Sequence, residues 1–312
     1  MAALDFFDPR TARFPYNRFM EFIAPQADRY SIISSILDEA RLNSLVLPIA
    51  GNRHFLILPP GENIHAGELP FRGRNPVVLT AHYDRFPGSS GANDNSAAVF
   101  QLIVTAQKLV SGNLSFWMIF LTDKEELGEG EGIEDQGAYS LASTLRDGGL
   151  ADARVYVFDA CGTGDTIIIS TAADTLLKNE ERAPFRKLRE LIQGLRVHAL
   201  ESARDLRLDR VLLLPTPLSD DAGFLRAGLP AQTITVLPRE EASLFTEFLR
   251  IHPEFAASLI RRSIHEKSGD QRERRFFPET WRSLNSPADS HLRLTPREYP
   301  LIIRFAQALC ED

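Results

Sequence analysis

Short apolar runs alternate with amphipathic stretches along most of this chain. Val77, Val78 and Leu79 lead into Thr80, and Leu114 to Leu121 reads LSFWMIFL. Continuous apolar runs of that length are the pattern of strands covered on both faces. Asn43–Leu47 and Phe55–Leu58 read as two further strands around the turn residues Gly51 and Asn52. Arg154–Phe158, Thr166–Ser170, Val211–Leu214 and Gln232–Leu237 complete the strand set. Between them the period changes to that of a helix. In Ala27–Ala40, Tyr30, Ile33, Ile36 and Leu37 share one face, and in Ser96–Leu109, Phe100, Ile103 and Val104 do the same. Tyr139–Arg146, Pro184–Ala203 and a closing stretch from Glu298 through Ile302, Ile303 and Phe305 also read as helices. Ser219 and Asp220 are placed to cap a short helix through Ala227, which Gly228 ends.

The remaining segments lack such order. Pro9, Pro15 and Pro25 break residues 1–26, which read as irregular. Residues 239–280 read as a helical insertion, amphipathic first and charged later. Strands and helices alternate without repeats or a low-complexity linker. The simplest architecture is one α/β domain over residues 1–312, with helices on both faces of a sheet.

Composition narrows the function classes. The net charge is −7 and no basic block stands out, the Arg272–Arg275 cluster being short, so a nucleic-acid partner is not expected. Leu114–Leu121 falls well short of the roughly 20 apolar residues that span a bilayer, and the N-terminus lacks a leader pattern. Two cysteines, Cys161 and Cys310, make neither a disulfide framework nor a cysteine-rich zinc site. A cytoplasmic protein without a membrane partner is the expectation.

Candidate chemistry gathers where strands end. His82 and Asp84 follow Val77–Thr80, and Asp94 opens the next helix after a Gly/Ser/Pro-rich loop. Glu125 and Glu126 follow Leu114–Leu121, Asp159 follows Arg154–Phe158, and Asp220 and Asp221 follow Val211–Leu214. In a parallel sheet those carboxyl ends lie side by side, where open α/β folds place their ligands. Any one of these groups alone reads as ordinary surface. Together they bring an imidazole and several carboxylates into one crevice, a charge density that cations relieve. Nitrogen and oxygen donors suit zinc, with manganese or cobalt as alternatives. Of two adjacent glutamates, one can ligate a metal while its neighbour faces the attacking water.

The ordered set AHYD, GANDNSAAV, EELG, a strand-end Asp, SDxxxFLRAGLPA and SPAD resembles the zinc-dependent aminopeptidase and glutaminyl cyclase family of metallo-exopeptidases. The resemblance spans about residues 30–310. It implies a single three-layer αβα domain with a mixed, mostly parallel sheet of the zinc-exopeptidase (phosphorylase/hydrolase-like) type. It implies His82 as a metal ligand oriented by Asp84, Asp94 bridging two metals, Glu125 as general base, Glu126 as ligand of one metal and Asp159 of the other. The substrate it implies is a peptide, from which an N-terminal residue is removed.

Two positions depart from the pattern. The family's last ligand is a histidine, where this chain has Asn285, with His291 six residues on. Asp221 stands where a histidine often follows Ser-Asp, and it reads as a helix-capping residue. An amide oxygen donates weakly to zinc, so one tight site and a second that is weak or absent are expected. The competing readings are a relative without turnover and a single-zinc acyltransferase resembling glutaminyl cyclase. Oligomeric state has no signature in the sequence.

Overall fold

The computed structural model describes residues 16–65, 68–178, 180–257, 259, 260 and 275–311. Residues 1–15 and 261–274 lie outside it, and with them His265, Arg272 and much of the charged half of the expected insertion. The strands are β1 (Asn43–Ile49), β2 (Asn52–Leu58), β3 (Val77–His82), β4 (Trp117–Thr122), β5 (Arg154–Phe158), β6 (Thr166–Ser170), β7 (Val211–Leu214) and β8 (Ala231–Leu237). They form one sheet in the order β1-β2-β4-β3-β5-β8-β6-β7. Its centre, β4-β3-β5-β8, is parallel, while β2 runs antiparallel to β4 and β6 antiparallel to β8. The mixed, mostly parallel sheet expected from the resemblance is present.

Side-chain alternation divides the core between two faces. Leu79, Ala81, Ile119, Leu121, Tyr156 and Phe158 face one layer. That layer holds α1 (Tyr16–Phe22), α2 (Arg29–Glu39), α3 (Ala97–Ser111), α6 (Ala183–Asp205) and α10 (Tyr299–Ala308). Val78, Met118, Phe120, Val155 and Val157 face α4 (Gly137–Leu145) and α7 (Asp220–Arg226) on the other side. A third cluster places Phe245 of α8 (Arg239–Ile251) against Trp281 of α9 (Glu279–Ser283), with Ile168, Leu214 and Leu237 beneath. The short α5 (Ala172–Leu177) packs on α6. No described helix is long and apolar enough to cross a membrane.

Two expectations need correction. Residues 16–22 form a helix inside the stretch expected to be irregular. Phe19 and Phe22 each meet the Phe100 ring edge-on at 5.4 Å, so burial of an aromatic pair holds a seven-residue helix that would not persist alone. Strand β4 begins at Trp117 rather than Leu114, because Phe116 takes φ +64 and leaves the extended region.

Register sets the site. His82 pairs with Thr122 across β3 and β4, and Thr80 pairs with Val157 across β3 and β5. Two residues further along both strands, His82 and Asp159 stand level at the carboxyl edge.

Candidate metal centre

His82 is 1% exposed at the end of β3. Its Nδ1 lies 3.1 Å from Asp84 Oδ1. With Nδ1–H donating to that carboxylate, the neutral ring presents its Nε2 lone pair to the other side. Nε2 lies 3.1 Å from Asp94 Oδ1 and 3.6 Å from Asp159 Oδ1, yet no aligned hydrogen bond forms there. One donor atom each from His82, Asp94 and Asp159 falls within 4.8 Å of the others. Asp159 Oδ1 and Glu126 Oε1 are likewise buried without a hydrogen-bond partner among the described residues. Converging lone pairs left unpartnered in a buried place are costly unless a cation takes them. One imidazole nitrogen and carboxylate oxygens are the donor set of a zinc site, so the residues fit the ion that the resemblance implied.

The supporting loops are fixed by hydrogen bonds that cross the sheet edge. The Asp84 carboxylate accepts the amides of Glu125 (3.1 Å) and Glu126 (3.0 Å) in addition to His82. One aspartate thus orients the imidazole and sets the backbone of both glutamates. Gln136 Nε2 donates to the Glu125 carbonyl at 3.1 Å. Asp94 lies in a buried, irregular turn before α3, joined to Asn95 by a cis peptide bond. Asn95 Nδ2 donates to the Phe158 carbonyl at 2.7 Å, and Gly162 N donates to Asn93 Oδ1 at 2.7 Å. Those bonds tie the Asp94 turn to the strand end that carries Asp159.

The electrostatics follow from crowding. Burial opposes protonation of His82, but Asp159, Asp84 and Asp94 outweigh it and hold its pKa well above the usual value. Burial pushes Glu125 well up, with Glu126 and Asp94 adding to the rise against the opposing pull of His82. Burial, then the charge of Asp94, lifts Glu126 to about 8. Asp94 rises through burial and the nearby Asp159. The protein groups alone hold protons where a divalent cation would displace them.

Asn285, which the resemblance sets where the family has its last histidine, is exposed with φ +55. It makes no side-chain hydrogen bond among the described residues. His291 is half-buried, edge-on to Tyr16 at 6.3 Å, and joins no three-residue ligand group among the described residues. Asp289, four residues after Asn285, does reach the site. Its carboxylate accepts Asn93 N (2.8 Å) and Asp94 N (3.1 Å), and its carbonyl accepts Ser90 Oγ. Burial and the Asp94 charge push Asp289 up to about 6. The SPAD segment contained this residue, but nothing local in the sequence says that its partners are backbone amides near residue 93.

The capping expectation for Ser219 and Asp220 is corrected. Ser219 occupies the N-cap of α7 without a side-chain capping bond. The buried Asp220 carboxylate instead accepts Thr122 Oγ1 at the end of β4, and burial lifts it to about 7. Asp221 does serve the helix start, accepting Ser219 N at 2.8 Å.

Comparison with known proteins follows the same outline. The chain is similar in structure to a leucine aminopeptidase precursor from Bacteroides thetaiotaomicron. That pair has 14% identity, 98% of this chain and 97% of the other covered, and a TM-score of 0.59. The glutaminyl cyclase of Tannerella forsythia aligns at 13% identity over 98% of this chain and 99% of its own, TM-score 0.57. A zinc aminopeptidase from Bacillus subtilis aligns at 17% identity and TM-score 0.50 over 82% of this chain. This chain spans only 48% of that one's length. At these identities the likeness establishes the fold. No curated protein sequence matches the chain. Residues 63–273, well over half of the sequence, match the model of peptidase family M28, and the chain belongs to that family.

Proposed function

We propose that this protein is a metal-dependent aminopeptidase that holds one ion tightly through His82, Asp94 and Asp159. The observation that carries the reading is the convergence of those three donors within 4.8 Å, beside two glutamates whose amides share one carboxylate. Membership of a peptidase family gives the reaction class, and two of the structural neighbours are aminopeptidases. A bound zinc ion supplies Lewis acidity, polarising the scissile carbonyl and lowering the pKa of water to about 7.

The chain's own residues divide the remaining work. Glu125 takes a proton at its carboxylate from the attacking water and returns it to the leaving amine nitrogen. Asp84 holds His82 in the tautomer that offers Nε2 and keeps Glu125 in place through its amide. Glu126, whose buried Oε1 has no hydrogen-bond partner among the described residues, is the carboxylate left for a second ion. The acidic surplus around the site attracts the α-ammonium of a peptide or amino-acid amide. Exposed Asn285 offers that second position no imidazole, which supports one tight ion and a weak or absent second.

The test is hydrolysis of N-terminal amino-acid amides by protein stripped with a strong chelator. The reading expects complete loss, restored by zinc, cobalt or manganese. Hydrolysis indifferent to chelation, or cyclisation of an N-terminal glutamine without hydrolysis, would overturn it.

A further inference from the structure

The metal centre depends on a residue far from it in sequence. Arg29 opens α2, before the stretch matched by the family model, and is 7% exposed. Its guanidinium reaches under two loops at once. Nη1 donates to the carbonyls of Tyr83 (2.8 Å) and Asp84 (2.9 Å). Nη2 donates to the Ser90 carbonyl (2.9 Å) and to Ser96 Oγ (2.9 Å). Ser96 Oγ in turn donates to the Gly91 carbonyl. The Phe22 ring covers the guanidinium at 4.5 Å. Gly91 takes φ +60, and a Cβ there would meet Arg29 Nη2 at 2.9 Å and the Asp94 carbonyl at 2.8 Å. The turn has closed onto the guanidinium as tightly as a glycine allows.

We propose that Arg29 is a positioning residue of the candidate metal site, joining the loop that carries Asp84 to the turn that carries Asp94. The proposal rests on the metal-site reading given above. Geometry supplies the argument. Asp84 and Asp94 approach His82 from its two ring nitrogens, so their separation fixes whether Nε2 and the Asp94 carboxylate can share an ion. Arg29 bonds backbone immediately before and at Asp84, and it flanks Asp94 through the Ser90 carbonyl on one side and the Ser96 hydroxyl on the other. A planar guanidinium spans the two loops in one rigid unit, which an ammonium on a flexible stem does not. Charge adds to the effect: Asp84, Asp94 and Asp289 all lie close enough to favour the cation electrostatically. Burial and the neighbouring Arg85 bring the Arg29 pKa down to about 9, which leaves it charged at neutral pH.

The experiment is a cobalt(II) titration of chelator-stripped protein, read by the visible absorption of the bound ion, for the parent, Arg29→Lys, Arg29→Met and Arg18→Ala. Arg18 bonds Glu21, Ser35 and Glu39, within the same helix pair and away from the site. Residues that hold metal ligands from behind typically change affinity by about 10- to 100-fold when replaced. Both Arg29 variants are therefore expected to bind cobalt at least about tenfold more weakly, with altered bands, and Arg29→Lys is not expected to rescue. Arg18→Ala is expected to lower the melting temperature while leaving cobalt affinity and spectrum unchanged. Should Arg29→Met fail to fold, Arg29→Lys decides. Parent-like affinity and bands in a folded Arg29→Lys would overturn the proposal, as would equal weakening in Arg18→Ala. A parent that takes up no cobalt would overturn the metal reading and this proposal together.

Discussion

Asp84 illustrates how much one side chain can determine. It accepts from His82, Glu125 and Glu126, so the proposed base and two candidate ligands share one support. The two glutamates should nonetheless separate by substitution. Glu125→Gln is expected to keep metal affinity and lose about 10²-fold or more in turnover, since a positioned base contributes that much. Glu126→Gln should weaken metal binding itself. Metal analysis beside kinetics distinguishes them, and near-parental turnover in Glu125→Gln would contradict the assignment. His54 gives a prediction of another kind. It is fully buried in β2, and burial brings its pKa from 6.5 down to about 4. The unfolded state therefore takes up the proton first as pH falls, and stability present above pH 6.5 is lost towards pH 4. One pKa unit corresponds to about 1.4 kcal/mol, so the loss attributable to His54 is on the order of 3 kcal/mol at most. Imidazole NMR signals should stay those of a neutral ring down to about pH 5; titration near 6.5 would contradict the burial argument. Strand-end polar groups were legible in the sequence because an abrupt change from apolar to polar marks where a buried strand stops. Arg29 and Asp289 were not, because their partners, backbone groups and for Arg29 also the Ser96 hydroxyl, lie more than 50 residues away and leave no periodic trace.

The elements were legible to the extent that burial is periodic. Core strands such as β3 and β4 announce themselves as apolar runs, and α3 shows its face at Phe100, Ile103 and Val104. Helix α1 does not, since seven residues carry too little period and its order comes from Phe19 and Phe22 meeting Phe100. Phe100→Ala should therefore cost about 3–5 kcal/mol, the range for deleting a buried aromatic ring. Hydrogen exchange should show α1 and α2 losing protection before the central strands; uniform loss would show that the N-terminal helices are not held through Phe100. The segment after α9 carries the departure from the family pattern. Asn285 holds φ +55, a conformation in which histidine, like asparagine, is found more often than most residues. Asn285→His is thus expected to fold and to raise occupancy of a second ion, read as metal stoichiometry after dialysis.

At the scale of the whole molecule, the mixed sheet brings three strand ends distant in sequence to one edge. Parallel pairing of β4, β3 and β5 places Thr122, His82 and Asp159 in a row, and the turn before α3 supplies Asp94. Arg29 of α2 and Asp289 then hold the loops around that row by hydrogen bonds. The order of strands could not be read from the sequence, because apolar runs identify strands without naming their neighbours. The gathering of acids could, because parallel strands followed by carboxylates converge whatever their order. A single tight divalent ion is expected at this convergence. Anomalous scattering at the zinc edge, from crystals of protein dialysed after zinc loading, tests it most directly. One dominant peak is expected between His82 Nε2 and the carboxylates of Asp94 and Asp159. No peak there, or two peaks of equal height, would contradict it.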